Sequence, residues 1–263
     1  MWYEAAGEGP AVVLLHAGIA DSRMGDGHFE ALASRHRAAR IDFRGYGRSP
    51  LPGGPFSYVE DVRFVVDALR LAPTAVIGAS FGGRVAIDLA LAHPDRVSAL
   101  GLVAPALGGW KEAQELERLE AEEERLLGAG DRDGAVELNL RAWVDGPNRR
   151  SDAVDPAVRE RVGAMQRQAF ETVLAAYERE PLPGPVAWVE PPAVERLSEV
   201  RVPTLIVVGE RDFEGFRAIA DALAAGIASA RQVVLEDAAH MVALERPDEA
   251  RGLIREFLAG VLR

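Results

Sequence analysis

The chain has 263 residues, a formal net charge of −11 and no cysteine. The missing cysteines exclude disulfides, cysteine nucleophiles and thiolate metal ligands, and the acidic charge argues against nucleic acid as a partner, because phosphate binding needs a basic face. No apolar run approaches the ~20 residues that span a bilayer, so we expect no membrane partner. The N-terminal residues do not resemble a secretory signal, and we expect a cytoplasmic protein.

Short apolar runs alternate with helical patterns along the chain, which predicts an α/β fold with a mostly parallel sheet and helices on both faces. The runs that read as buried strands lie at 11–15, 40–42, 75–78, 99–103, 204–208 and 232–235. Apolar residues at helical spacing predict one helix near 58–69 and another near 253–261. A length of 263 residues accommodates such a domain together with an insertion.

The region between the fourth and fifth predicted strands has a different character. It opens with a charged amphipathic stretch near 111–127, continues with helical stretches near 135–143 and 158–177, and ends in proline-rich loops near 181–192. We predict a helical cap over residues 107–197, inserted into an α/β core formed by residues 1–106 and 198–263.

A G-x-S-x-G motif, Gly78-Ala79-Ser80-Phe81-Gly82, stands between the strand at 75–78 and a helical stretch at 84–91. In this strand–turn–helix context the serine sits on a sharp bend, where small neighbours leave room for close approach of chain segments. The helix N-terminus also directs its N–H groups at the reacting centre. The motif therefore predicts Ser80 as a nucleophile.

A serine hydroxyl needs a base, and of the five histidines only His93 and His240 follow Ser80. The fold that carries this motif orders its triad as nucleophile, acid and base along the chain. His93 ends the helix that Ser80 begins, about 18 Å away, whereas His240 follows the last predicted strand. We predict His240 as the base, and we expect His16 to order its own loop through hydrogen bonds.

The acid is expected in the loop after the fifth strand, which offers Glu210 and Asp212. Asp212 is favoured because it lies deeper in the loop, and Glu210 is the alternative. Asp237 is closer to His240 in sequence, but we expect it to brace its own loop.

Two backbone N–H groups are expected to form an oxyanion hole. One belongs to Phe81, the residue after the nucleophile, and the other comes from the loop after the first predicted strand. We predict Gly18 for the second donor, with Ala17 and Ile19 as neighbouring alternatives.

These motifs together resemble the α/β-hydrolase superfamily from near the start of the chain to its end. Within it, the chain is similar to the capped group that contains 3-oxoadipate enol-lactonases, meta-cleavage-product hydrolases and small esterases. The matching segments are 14–18, 42–49, 78–83, 92–97, 202–204, 209–212 and 239–240, with Trp143-Val144-Asp145-Gly146-Pro147 similar to the enol-lactonase-like branch.

The chain departs from the family pattern at two positions. Ala17 stands where the family usually has glycine, which is expected to narrow the oxyanion loop, and Gly25 stands where relatives often have tryptophan. Gly25 is expected either to open the acyl pocket or to loosen its loop. The residues predicted to contact substrate are Ile19, Gly25, Trp143, Trp188 and Met241.

The resemblance implies a serine hydrolase that cleaves a small-molecule carboxylic ester or lactone through an acyl-enzyme, without a metal or an organic cofactor. Carbon–carbon bond hydrolases and cofactor-free perhydrolases use the same triad and stay open as alternatives, as does a ligand receptor on the same fold. Haloalkane dehalogenases and epoxide hydrolases use an aspartate nucleophile, so Ser80 argues against both.

Overall fold

The computed structural model describes residues 1–111, 114–147 and 149–262. The strands along these ranges are β1 (Trp2–Ala6), β2 (Ala11–Leu15), β3 (Arg37–Asp42), β4 (Gly54–Phe56), β5 (Thr74–Ala79), β6 (Val97–Val103), β7 (Pro183–Val186), β8 (Thr204–Gly209) and β9 (Ala230–Leu235). The helices are α1 (Asp26–Ala33), α2 (Tyr58–Ala68), α3 (Phe81–Ala92), α4 (Gln114–Gly128), α5 (Arg132–Asn139), α6 (Pro156–Tyr177), α7 (Glu214–Gly226), α8 (Val242–Glu245) and α9 (Pro247–Val261).

The main sheet has the strand order β1-β3-β2-β5-β6-β8-β9. Only the pairing of β1 with β3 is antiparallel, and the other neighbours in this sheet are parallel. The predicted α/β-hydrolase architecture with a mostly parallel sheet is therefore confirmed. The sequence reading missed β1, which lies at the edge of the sheet, where its side chains are partly or fully exposed.

Alternating side chains of the central strands pack against helices on opposite faces of the sheet. Val13 belongs to a cluster with residues of α2, α3 and α7. Its neighbour Val12 belongs to a second cluster, with Phe29 of α1 and Leu258 of α9. Because both faces are covered, the inner strands read as continuous apolar runs, and this is why the sequence located them.

The segment between β6 and β8 holds α4, α5, α6 and β7, with a π-helix at Leu140–Asp145 that follows α5 directly. The single helical stretch predicted near 135–143 is therefore two elements of different winding. β7 pairs in parallel with β4, which ties the segment to the core. One apolar cluster joins Val136, Met165 and Phe170 of this segment to Ala17 and Ile19 of the loop after β2.

Candidate active site

Ser80 connects β5 to α3 in a strained backbone conformation, with φ of 48° and ψ of −113°. A non-glycine residue rarely adopts such angles unless its surroundings impose them. Here the residues that allow this conformation are the neighbouring glycines Gly78 and Gly82. A β-carbon on Gly78 would lie 2.3 Å from the Gly82 carbonyl oxygen, and one on Gly82 would lie 2.5 Å from the Leu15 carbonyl oxygen. These glycines let the turn close and present the Ser80 hydroxyl at the carboxyl edge of the sheet.

His240 follows β9 and reaches Ser80 at the same edge of the sheet. Its Nε2 lies 2.9 Å from Ser80 Oγ, and its Nδ1 lies 3.0 Å from both carboxylate oxygens of Asp212. Because an ionised carboxylate only accepts hydrogen bonds, Nδ1 carries the proton and Nε2 accepts the Ser80 hydroxyl. His240 and Asp212 are both buried, so water does not compete for this chain of bonds.

The other carboxylates near this loop point elsewhere. Glu210 accepts the backbone N–H of Asp237 at 3.2 Å, and Asp237 forms an ion pair with Arg211. Asp212 is fixed by the Phe213 N–H, which donates to its Oδ1 at 2.8 Å. The structure therefore brings Asp212, and not Glu210, to the imidazole. Asp237 was expected to brace its own loop, but its carboxylate instead pairs with Arg211 of the loop after β8 and so joins the two loops.

A buried ion pair that sequence reasoning missed supports the His240 loop. Arg149 Nη2 lies 2.7 Å from Glu245 Oε2, and both side chains are less than one tenth exposed. The other oxygen of Glu245 accepts the Ala239 N–H at 3.0 Å, next to His240. Burial raises the pKa of Glu245, while Arg149 opposes the shift. No sequence signal joins residues 96 positions apart.

The Gly18 loop lies against the N-terminus of α3. A β-carbon on Gly18 would lie 3.5 Å from Phe81 Cβ, and neither the Gly18 nor the Phe81 N–H donates to an acceptor within the described ranges. His16 holds this loop as expected. Its Nδ1 bonds the Ala17 carbonyl at 2.8 Å, its Nε2 accepts the Phe43 N–H at 2.9 Å, and burial lowers its pKa.

Ala17 does not strain the loop after β2, in which the oxyanion donor was predicted. It is absent from the non-glycine residues with positive φ in the described ranges, and its N–H approaches Met24 Sδ at 3.3 Å. A β-carbon is therefore compatible with this backbone, and the departure from the family glycine needs no compensating change.

A cavity of about 440 Å³ opens above Ser80 and His240. The core contributes Gly18, Ile19, Tyr46, Phe81 and Phe216, while the segment between β6 and β8 contributes both apolar and polar side chains. Its apolar members are Leu116, Leu119, Leu127, Trp143, Ala169, Phe170 and Val173, and its polar members are Glu120, Glu123, Asn139 and Gln166. Of the residues predicted to contact substrate, Ile19 and Trp143 line this cavity.

Trp143 also packs directly against the His240 ring. Its ring centroid lies 4.8 Å from that of His240 and 5.2 Å from that of Phe213. Phe216 covers another side of the imidazole, at 4.3 Å. The imidazole is therefore packed between aromatic rings as well as hydrogen-bonded.

Three other predicted contact residues lie away from this cavity. Gly25 lines a separate cavity of about 50 Å³, because its loop turns toward α1 and α9. Trp188 packs behind Phe81 at a ring distance of 5.9 Å, under the Arg84 guanidinium. Met241 is buried in the cluster behind Ala17 and Ile19. Gly25 therefore does not enlarge the space above Ser80.

The remaining histidine considered as a base lies far from the site. His93 caps the opposite end of α3 from Ser80 and bonds Glu60 Oε1 at 2.7 Å. Within the described ranges, no group of His, Asp and Glu side chains is arranged to hold a metal ion. In the same ranges no helix is both long enough and apolar enough to cross a bilayer.

Comparison with known proteins gives consistent matches over the whole chain. A sequence model of the alpha/beta hydrolase fold matches residues 10–247. A candidate 2-succinyl-6-hydroxy-2,4-cyclohexadiene-1-carboxylate synthase of Bacillus subtilis (strain 168) is 30% identical over 98% of this chain and 95% of its own. A pimeloyl-[acyl-carrier protein] methyl ester esterase of Aeromonas hydrophila subsp. hydrophila is 30% identical over 97% of this chain and 98% of its own.

A solved structure of an N-acyl homoserine lactone degrading enzyme has a TM-score of 0.73 and 26% identity, covering 97% of this chain and 96% of that one. The relatives thus include esterases and other hydrolases, in agreement with the resemblance seen in the sequence. The chain belongs to the α/β-hydrolase fold family.

Proposed function

We propose that the protein is a serine hydrolase that cleaves a carboxylic ester or lactone of a small molecule. The observation that carries the proposal is the hydrogen-bonded series from Ser80 Oγ through His240 to Asp212, with distances of 2.9 Å and 3.0 Å. A methyl ester esterase and a lactone-degrading enzyme among the similar proteins support this choice of substrate bond.

The proposed reaction has two steps. His240 Nε2 takes the Ser80 hydroxyl proton while Oγ attacks the substrate carbonyl carbon, and the Gly18 and Phe81 N–H groups donate to the resulting oxyanion. Collapse of the tetrahedral intermediate breaks the bond to the alkoxy oxygen, which leaves with the proton from His240. Water then attacks the acyl-enzyme carbonyl carbon and loses a proton to His240. Collapse of this second tetrahedral intermediate breaks the bond to Ser80 Oγ, which takes that proton back from His240, and the acid is released. Asp212 holds the imidazole and stabilises its positive charge throughout.

We further propose that residues 107–197 act as a cap that closes over the substrate. Trp143, Phe170 and the leucines of α4 supply the apolar part of the cavity above Ser80. Such a roof excludes water and favours a partly apolar substrate of moderate size.

The synthase among the relatives is named for a carboxylate-bearing product, which is a different use of the same fold. The described part of the cavity lining contains no arginine or lysine to pair with such a group. This observation favours ester or lactone hydrolysis over that reaction.

The test is turnover of p-nitrophenyl butyrate by the Ser80→Ala variant. We expect a loss of at least about 10³-fold in kcat/KM with an unchanged circular dichroism spectrum. Ser34→Ala, which changes an exposed serine of the α1 C-terminus, serves as the matched control and keeps wild-type turnover. Wild-type-like turnover by Ser80→Ala would contradict the proposal.

A further inference from the structure

The polar wall of the cavity, defined as Glu120, Glu123, Asn139 and Gln166, has no role in the proposed hydrolytic steps. Glu120 and Glu123 belong to α4, Asn139 ends α5, and Gln166 lies in the middle of α6. All four line the same cavity as Ser80 and His240. Three separate helices therefore direct polar side chains into an otherwise largely apolar roof, and this arrangement requires an explanation from the substrate.

The charges along the cavity have one sign. Glu120 and Glu123 are acidic, and the described lining contains no arginine or lysine. A substrate carboxylate would meet two carboxylates and no arginine or lysine. A substrate cation would meet two opposite charges, the exposed Glu120 carboxylate and the half-buried Glu123 carboxylate. Around Glu123 a Coulomb interaction is stronger than in bulk water.

The hydrogen bonds of the wall leave acceptors in excess. Asn139 Nδ2 donates one hydrogen bond to Glu123 Oε2 and another, at 3.0 Å, to the Ala135 carbonyl. Both hydrogens of the Asn139 amide are therefore used. Gln166 is only 5% exposed, and its buried Oε1 has no partner within the described residues. A buried acceptor without a donor is costly, so the Gln166 oxygen calls for a ligand that brings an N–H group, and the acidic charge of the wall favours a ligand that is a cation.

We propose that the polar wall binds a protonated primary amine, so that the preferred ester or lactone carries an ammonium group on the part that lies under the cap. An ammonium group offers three donors and a positive charge and accepts no hydrogen bond, which matches both the charge and the donor deficit of the wall. The inference rests on the proposed hydrolase function and names its substrate class.

The electrostatics of Glu123 agree with this assignment. Burial raises the pKa of its carboxyl, and the Asn139 amide only partly opposes the shift. The pKa of Tyr46, which lines the same cavity, is raised to about 12 by burial and by the nearby Glu123 charge. A bound cation would stabilise the ionised form of Glu123 that burial disfavours.

The test compares p-nitrophenyl esters whose acyl chains have the same carbon skeleton and differ at the far end. The set consists of the 6-aminohexanoate, 6-hydroxyhexanoate, hexanoate and adipate monoesters, each corrected for the rate with Ser80→Ala. We expect kcat/KM for the ammonium ester to exceed that for the hexanoate by about 10-fold, as expected for one hydrogen bond to a charged group. The carboxylate ester should be the poorest substrate.

Glu123→Gln tests the wall itself. It should lower the ratio of kcat/KM for ammonium ester to hexanoate by at least about 5-fold, because one carboxylate charge is lost. Glu117→Gln removes the same charge from an exposed position of α4 that does not line the cavity, and it should leave the ratio unchanged. A ratio that survives Glu123→Gln, or that falls equally in both variants, would overturn the proposal.

Salt provides a measurement that needs no variant. Raising the ionic strength from about 0.02 M to about 1 M should reduce the ammonium preference of the wild-type protein, since screening weakens partly exposed charge pairs. A wild-type ratio near one, or a preference for the hydroxy or carboxylate ester, would reject the ammonium assignment while leaving the hydrolase intact. Failure of every ester, with rates no higher than those of Ser80→Ala, would instead reject the proposed function.

Discussion

The series Ser80, His240 and Asp212, here called the floor of the cavity, differs from the polar wall in how many of its polar groups have hydrogen-bond partners. On the floor, His240 is bonded on both ring nitrogens, and Asp212 is bonded to the imidazole and to a backbone N–H. On the wall, counting the residues that the structure describes, Gln166 has a buried oxygen without a donor, and the hydrogen-bond donor to Glu123 is the Asn139 side-chain amide. Side chains whose hydrogen bonds are all formed within the protein keep their positions before the substrate binds. Side chains with unfilled hydrogen-bonding positions can bind groups of the substrate. The comparison suggests that core loops determine the chemistry and cap helices determine which substrate is chosen.

The largest expected loss of activity comes from replacing Asp212, the acid of the floor. Asp212→Asn would favour the wrong tautomer of His240 and remove the charge that stabilises the imidazolium, so kcat should fall by about 10³-fold to 10⁴-fold. Glu210→Gln is the matched control in the same loop and should stay within about twofold of wild type, because Glu210 bonds the Asp237 N–H instead. Equal losses in the two variants would contradict the assignment of the acid. Steady-state kinetics with p-nitrophenyl butyrate measures both.

The next largest effect is expected from the buried Arg149–Glu245 ion pair, which supports the loop that carries His240. Arg149→Met would leave Glu245 buried without its charge partner, which should lower the free energy of unfolding by about 3 kcal/mol. Because Glu245 also accepts the Ala239 N–H beside His240, kcat should fall together with stability. Chemical denaturation and ester kinetics on the same sample test the link. Exposed Arg150, which pairs with Asp152 at the surface, supplies the control variant Arg150→Met, with expected changes below about 0.5 kcal/mol.

Trp143 lines the cavity and packs against His240 of the floor, so its removal tests whether the two parts depend on each other. Trp143→Ala would free one face of the His240 ring and admit water to the cavity, and kcat/KM should fall by about 10-fold to 30-fold, or about 1.4 to 2 kcal/mol. Tyr177→Ala changes another aromatic residue of the cap, one that is 58% exposed, and should leave kcat/KM within about twofold. A loss in Tyr177→Ala as large as that in Trp143→Ala would argue for a general effect of the cap instead of a contact at the imidazole.

An effect of similar size to that of Trp143→Ala is expected at a buried acid of the core. Asp88 of α3 is buried, its Oδ1 has no partner among the described residues, and burial raises its pKa to about 6, against the opposing charges of Arg84 and Arg196. The folded state therefore binds the Asp88 proton more tightly than the unfolded state. Stability from this group is present at low pH and is lost as pH rises from about 4 through about 6.

Asp88→Asn removes this titration. Relative to wild type, its free energy of unfolding should rise by about 2 kcal/mol between about pH 4 and pH 8, since each unit of pKa shift corresponds to about 1.4 kcal/mol. Urea denaturation at several pH values measures the difference. A difference between the two proteins that does not change with pH would show that Asp88 does not titrate in this range.

The sequence could locate Ser80, Asp212 and His240 because each follows a continuous apolar strand, and parallel strands end at one edge of the sheet. It also located the buried strands, whose side chains are covered on both faces. Gly25 and Trp188 were misplaced because the direction of a loop depends on packing against distant helices, which local patterns do not record. The same reason hid the Arg149–Glu245 pair and the polar wall, whose members come from three different helices.

Covalent labelling is the sharpest test of whether Ser80 is the nucleophile. The protein is incubated with a fluorophosphonate, which reacts with a serine activated by a neighbouring base, and the labelled peptide is identified by mass spectrometry. We expect one label per chain, located on Ser80 and strongly reduced in Asp212→Asn but not in Glu210→Gln. Absence of labelling, or a label on another serine, would contradict the proposal that Ser80 is the nucleophile.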